Sequence, residues 1–113
     1  MKNIDDHVRG DTLTIAFTIE ADEIIDITSD DVAIDFSIKQ TIQSSGYLVH
    51  KDKSAVETVA DNSFVLRVAP EDTATLDERY YPYDLQLTIG SDVYTLAIGN
   101  VHIIADVTRN GVD

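Results

Sequence analysis

Cysteine and tryptophan are absent from these 113 residues, proline occurs twice, glycine five times and methionine once. Without cysteine there is no disulfide, zinc–thiolate site or thiol nucleophile, so a disulfide-stapled secreted module is excluded and the fold stands on packing alone. A reducing compartment is compatible with that composition. Basic residues are scarce as well: eight Lys and Arg face 21 Asp and Glu, a formal net charge of −13. Phosphate recognition draws on clustered Lys and Arg, so this balance argues against nucleic acid and against an anionic membrane surface as partners. Long hydrophobic runs are missing too. Residues 1–11 hold no apolar segment of the signal-peptide kind, and no stretch has the length of a membrane helix, so the expectation is a soluble product of the cytoplasm.

What the chain does have is alternation. A hydrophobic content of 43% over this length suffices for one core and leaves no room for a second domain. Leu13, Ile15, Phe17 and Ile19 alternate with Thr12, Thr14, Ala16 and Thr18, and Val32, Ile34, Phe36 and Ile38 alternate with Ala33, Asp35, Ser37 and Lys39. Period two with β-branched residues is the pattern of a strand with one buried face. Phe64, Leu66 and Val68 repeat it after the turn signal at Asp61, Asn62 and Ser63. Residues 80–109 read as a closing hairpin: Tyr81, Tyr83, Leu85, Leu87 and Ile89 alternate, Gly90, Ser91 and Asp92 break the run, and Tyr94, Leu96 and Ile98 resume it. Gly99 is expected to mark a bulge or a crossing to a second sheet. Residues 70–76 read as one helical turn, with Pro70 early and Glu71 and Asp72 at the positive end of the dipole. Residues 41–60 give no firm pattern beyond a turn at Ser44, Ser45 and Gly46 and a short strand over residues 47–50. The expectation is an all-β fold, an antiparallel β-sandwich of six to eight short strands, with residues 1–8 a flexible N-terminus, 9–109 the domain and 110–113 a C-terminal tail.

Candidate chemistry is thin. Three histidines and several serines are present, but there is no G-x-S-x-G elbow, and a triad is defined by geometry. His102 sits in an apolar run and reads as a hydrogen-bonded core or edge histidine, His7 falls in the N-terminal segment, and His50 borders a polar loop. None has the i,i+4 partner of a zinc helix. Glu20, Asp22, Glu23, Asp26, Asp30, Asp31 and Asp35 form an acidic stretch without a base among them. The calcium-loop pattern that would make such oxygens converge is missing, so solvated carboxylates are the expected state, with a weak divalent site or docking to a basic partner as the alternatives. No catalytic residue, metal ligand or cofactor site is assigned. Arg9, Gly10 and Asp11 spell an integrin-type tripeptide, for which chance is the better explanation: Gly10 supplies turn geometry and Asp11 bonds the turn. Tyr80, Tyr81, Tyr83 and Tyr94 are a better clue, because alternation puts them on both faces. If Tyr81 and Tyr83 are core, Tyr80 and Tyr94 face outward, and one hydroxyl is expected to bond back to the backbone as a tyrosine corner.

The order of these pieces carries a resemblance. Arg9 to Thr12 opens a strand, an Asp-rich turn leads into the strand around Phe36, residues 70–76 turn before Tyr81, Pro82 and Tyr83, and residues 106–109 close the domain. Over roughly residues 9–109 this resembles small immunoglobulin-like β-sandwich proteins from the tail and baseplate gene clusters of long-tailed phages of Gram-positive bacteria. The resemblance implies an immunoglobulin-like sandwich and a non-enzymatic structural, assembly or adsorption component. It implies synthesis in the host cytoplasm, a place in the phage tail, other tail or baseplate proteins as partners, and a trimer as the favoured homo-oligomer. No long coiled coil or collagen-like stalk of the kind found in fibre proteins is present. The competing class is a binding module for a host surface, a saccharide or a basic host protein.

Overall fold

A computed structural model describes residues 4–8, 10–43 and 46–104. Among the described residues eight strands follow one another: β1 (Ile4–Val8), β2 (Leu13–Thr18), β3 (Val32–Ile38), β4 (Val49–Asp52), β5 (Val56–Ala60), β6 (Ser63–Val68), β7 (Arg79–Ile89) and β8 (Asp92–Ile104). A single 3-10 turn at Lys53–Ala55 separates β4 from β5, and the one-turn helix α1 (Pro70–Thr73) precedes β7. The strands form a five-stranded sheet in the order β1-β8-β7-β3-β4 and a three-stranded sheet in the order β2-β6-β5. The two sheets form a β-sandwich, with β4 beside β3 and the first strand laid parallel against the last. The all-β sandwich expected from the alternation is the observed fold.

The predicted inward residues make the core. Ile34, Phe36 and Ile38 of β3, Phe64, Leu66 and Val68 of β6, and Tyr81, Tyr83, Leu85 and Leu87 of β7 are all buried. The Phe36 ring packs against Tyr83 at 5.8 Å, and Phe17 of β2 packs on Phe64 at 5.5 Å. Offset and tilted ring pairs of this kind add to the stabilisation from area alone. Antiparallel pairing runs from Val32↔Ile89 to Ile38↔Tyr83 between β3 and β7, which fixes which side chains share each face.

Three assignments differ from the sequence expectation. Ile4–Val8, read as flexible, is a strand parallel to the end of β8, with His7 buried and its Nε2 3.1 Å from the Asp11 carbonyl oxygen. The polar middle of that segment hides a strand whose pairing partner lies about 96 residues away (Val8↔Ile104). The region around residues 47–60 holds two strands, because the 3-10 turn lets the chain leave one sheet and join the other. Gly99 is neither a bulge nor a crossing: β8 runs straight through it opposite Tyr83, and the register shift falls between Leu85 and Gln86, where Leu96 is the extra residue. The turn signal at Ser44 and Ser45, Arg9 of the tripeptide, and the closing residues 106–109 lie outside the described residues.

Two corners lock the sandwich. Gly10, at φ 83°, turns the chain from β1 into β2, and its amide donates to the buried Thr73 hydroxyl of α1 at 2.9 Å. Just before β7, the Tyr81 hydroxyl donates to the Asp77 carbonyl at 2.9 Å. That is a tyrosine corner, with a tyrosine near the start of its strand bonded back to the backbone a few residues upstream. Tyr81→Phe keeps the ring and removes this bond, so it is expected to lower stability by about 1 kcal/mol in urea unfolding, with an unchanged slope.

Candidate functional site

The pairing register places one set of side chains on the outer face of the five-stranded sheet. Tyr80 lies opposite His102, Pro82 opposite Asn100, and Asp84 opposite Ile98 across β7 and β8. Ser37 and Asp35 of β3 continue that face toward His50 and Asp52 of β4. On a sandwich whose core lies on the other side, this face is expected to be polar. Instead Tyr80 is 63% exposed, Ile98 56% and Val93 58%, and Ile42 and Tyr47 stand exposed at its margin.

Two aromatic stacks border the face. Tyr80 lies flat on His102, with ring centroids 4.1 Å apart, and Tyr47 stacks on His50 at 4.9 Å with Lys39 over the Tyr47 ring. His50 Nε2 is also 2.9 Å from Asp35 Oδ1. Ser37, Lys39, Ile42, Asp84, Ile98 and Asn100 line a recess of about 440 Å³ on the same face. The charged residues here are Asp35, Asp52 and Asp84 against Lys39, so this face is acidic like the rest of the chain.

The bulge at Leu96 explains the apolar outer residue. One extra residue reverses the phase of β8, so Ala97, Gly99, Val101 and Ile103 face the core while Ile98 faces out. Read as unbroken alternation, the sequence groups Ile98 with Tyr94 on one face. Of the four tyrosines singled out, Tyr81 and Tyr83 are core and Tyr80 and Tyr94 are exposed, as expected. They do not share a surface, however: Tyr94 lies opposite the inward Leu87, near the hairpin tip, while Tyr80 belongs to the outer face. His102 is a half-buried outer-face residue stacked on that tyrosine rather than a core histidine. Nothing in the sequence marks Tyr47 and Ile42 as surface aromatic and apolar residues of this face, because they sit in a segment without periodicity.

The hydroxyl, imidazole and carboxylate groups near β4 do not converge as a triad. Ser54 Oγ donates to Asp52 Oδ1 at 2.5 Å, whereas His50 engages Asp35. The two thus bond to different carboxylates.

The acidic connection between β2 and β3 is a built loop. Asn62, at φ 58°, accepts from the Ile25 amide at 2.7 Å and donates to the Glu23 carbonyl at 2.9 Å. Asp26 accepts from the Thr28 hydroxyl at 2.6 Å and from its amide at 3.0 Å. The Lys53 ammonium donates to the Ser29 and Val32 carbonyls, each at 2.8 Å. Asp22, Glu23, Asp26, Asp30 and Asp31 are all exposed, and among the described residues no three acidic or imidazole groups converge as a metal site. Lys53→Met is expected to cost about 1.5–3 kcal/mol, since it removes two charge-assisted bonds that tie this loop to the start of β3.

Those local bonds also set an acid response. The Thr28 hydroxyl and amide hold the Asp26 carboxyl below its usual 3.8, and Ser54 does the same for Asp52. A depressed folded-state pKa contributes stability that is present above the unfolded value and is lost as pH falls through the folded one. The thermal midpoint of the native chain should therefore exceed that of Asp26→Ala at pH 7, with the gap shrinking as the pH drops below 3.8.

Among the described residues no helix is long and apolar enough to cross a membrane. Compared with known proteins, the chain matches no family model and no curated protein.

Proposed function

We propose that this protein is a non-enzymatic assembly module of a phage tail, baseplate or adsorption apparatus, whose contact surface is the outer face of the five-stranded sheet. The observation that carries this reading is the exposed apolar and aromatic set on that face, with Tyr80, Ile98 and Val93 more than half accessible. Aromatic side chains with a polar tip are what protein contact surfaces favour, and here they share a face with exposed Ile98 and Val93. The phage setting rests on the order of sequence motifs described above. Copies of the chain, or a neighbouring tail protein, would cover the face.

Solution mass by light scattering across a concentration series tests it. A closed oligomer, a trimer by the resemblance, is expected to form with rising concentration and to strengthen with salt, which screens the charge of −13 on each copy. A strict monomer at every concentration and salt would count against self-assembly through this face.

A second reading, a saccharide-binding module, is favoured by Asp84 and Asn100 lining the same recess with Tyr80 and Tyr47 near it. Titration with host cell-wall oligosaccharides, followed by shifts of those four residues, separates the two. Mimicry of nucleic acid toward a basic host protein draws less support, because Glu20, Asp22, Glu23, Asp26, Asp30 and Asp31 lie in a loop and do not form an ordered sheet face.

A further inference from the structure

Apart from the outer face, the sandwich has an open seam. β2 is the last strand of its sheet, so one of its edges has no strand beside it among the described residues. In the other sheet the described part of β1 meets β8 from Val101 onward, so among the described residues no strand lies beside the opposite edge of Asp92 to Ala97. The two edges border one gap of about 280 Å³, lined by Ile15, Phe17, Leu85, Leu96 and Ala97. A strand edge presents a row of backbone N–H and C=O groups that another extended chain can satisfy. Alternating apolar side chains on that chain would fill a gap so lined.

We infer that this seam receives an extended, basic segment of a partner protein, which adds a strand to β2. The inference goes beyond the assembly reading and uses different strand edges, so either can fail alone. Charge selects the occupant. β2 runs antiparallel to β1, which it joins through the tight turn closed by the Asp11 amide on the Val8 carbonyl, and β1 runs parallel to β8. The exit of β2 and the start of β8 therefore lie at one end of the molecule, which carries the exposed Glu20, Asp22, Glu23 and Asp92. A second copy would bring −13 of its own to that end, whereas a segment with Lys or Arg at its N-terminus, pairing antiparallel to β2, places positive charge there.

The probe is a synthetic peptide, Lys-Lys-Thr-Val-Thr-Val-Thr-Val-Thr, added to the intact unmodified chain. Expected are shifts at Ile15, Ala16, Phe17 and Leu96 and slowed amide exchange along β2. N-methylating alternate peptide amides removes donors on one edge of the added strand. One frame of methylation should weaken binding about ten-fold or more, and the other should leave it within about three-fold. Replacing the two lysines with glutamates should weaken it about ten-fold at low salt. The inference is overturned if both frames behave alike, if the shifts fall on the outer face, if the peptide does not bind at millimolar concentration, or if the free edge of β2 is already protected in the peptide-free chain.

Discussion

Phe36→Ala is expected to lower the free energy of unfolding by about 3–5 kcal/mol. Phe36 lies in the middle of β3, between β7 and β4, and is wholly buried. Its ring packs against Tyr83, and Ile34, Ile38, Leu66 and Leu85 belong to the same core. Truncation removes the ring from an interior whose neighbours are held by strand pairing on both sides, so the void can collapse only in part. Domains of this size are stable by about 5–15 kcal/mol, so the loss is a large share of the total. Urea unfolding should show a lower midpoint with an unchanged slope. A loss below about 1.5 kcal/mol would mean that the site is not packed as described.

Tyr80→Thr combined with Ile98→Thr should behave in the opposite way. Both side chains are more than half exposed, and threonine suits a strand, so stability should change by no more than about 1 kcal/mol. Self-association, however, should weaken by about 100-fold or more. Aromatic anchors near the middle of a contact carry most of its energy, and two such truncations remove about 2.7 kcal/mol or more. Val59→Thr, on an exposed position of β5 in the other sheet, is the matched control and should leave the oligomer intact. If the control dissociates the oligomer and the double variant does not, the contact lies on the smaller sheet.

The sandwich is legible wherever its strands bury one face and solvate the other. Val32, Ile34, Phe36 and Ile38 declare β3 by alternation alone, and Phe64, Leu66 and Val68 declare β6. Gly10 and Pro70 mark real corners for the reasons their residue types suggest. What stays hidden is set by distant partners. Ile4–Val8 has no clean alternation, and it is a strand because β8 offers it an edge. β4 and β5 divide at a 3-10 turn, where Asp52 caps the Ser54 amide and Lys53 reaches across to the Ser29 and Val32 carbonyls, a tertiary contact no local pattern reveals. The candidate surface was half legible. Alternation correctly separates the buried Tyr81 and Tyr83 from the exposed Tyr80 and Tyr94, but the single extra residue at Leu96 decides that Ile98 joins Tyr80 on the outside. A bulge leaves little trace in hydrophobicity, because both phases of β8 carry apolar residues.

Residue-resolved NMR across a concentration series shows which face of the native chain meets its neighbour. Concentration-dependent shifts are expected at Tyr80, His102, Ile98, Val93 and Ile42, with Val59 and the rest of β5 unmoved. Shifts confined to β5, or none on the five-stranded sheet while the mass of the particle rises, would contradict assembly through the outer face.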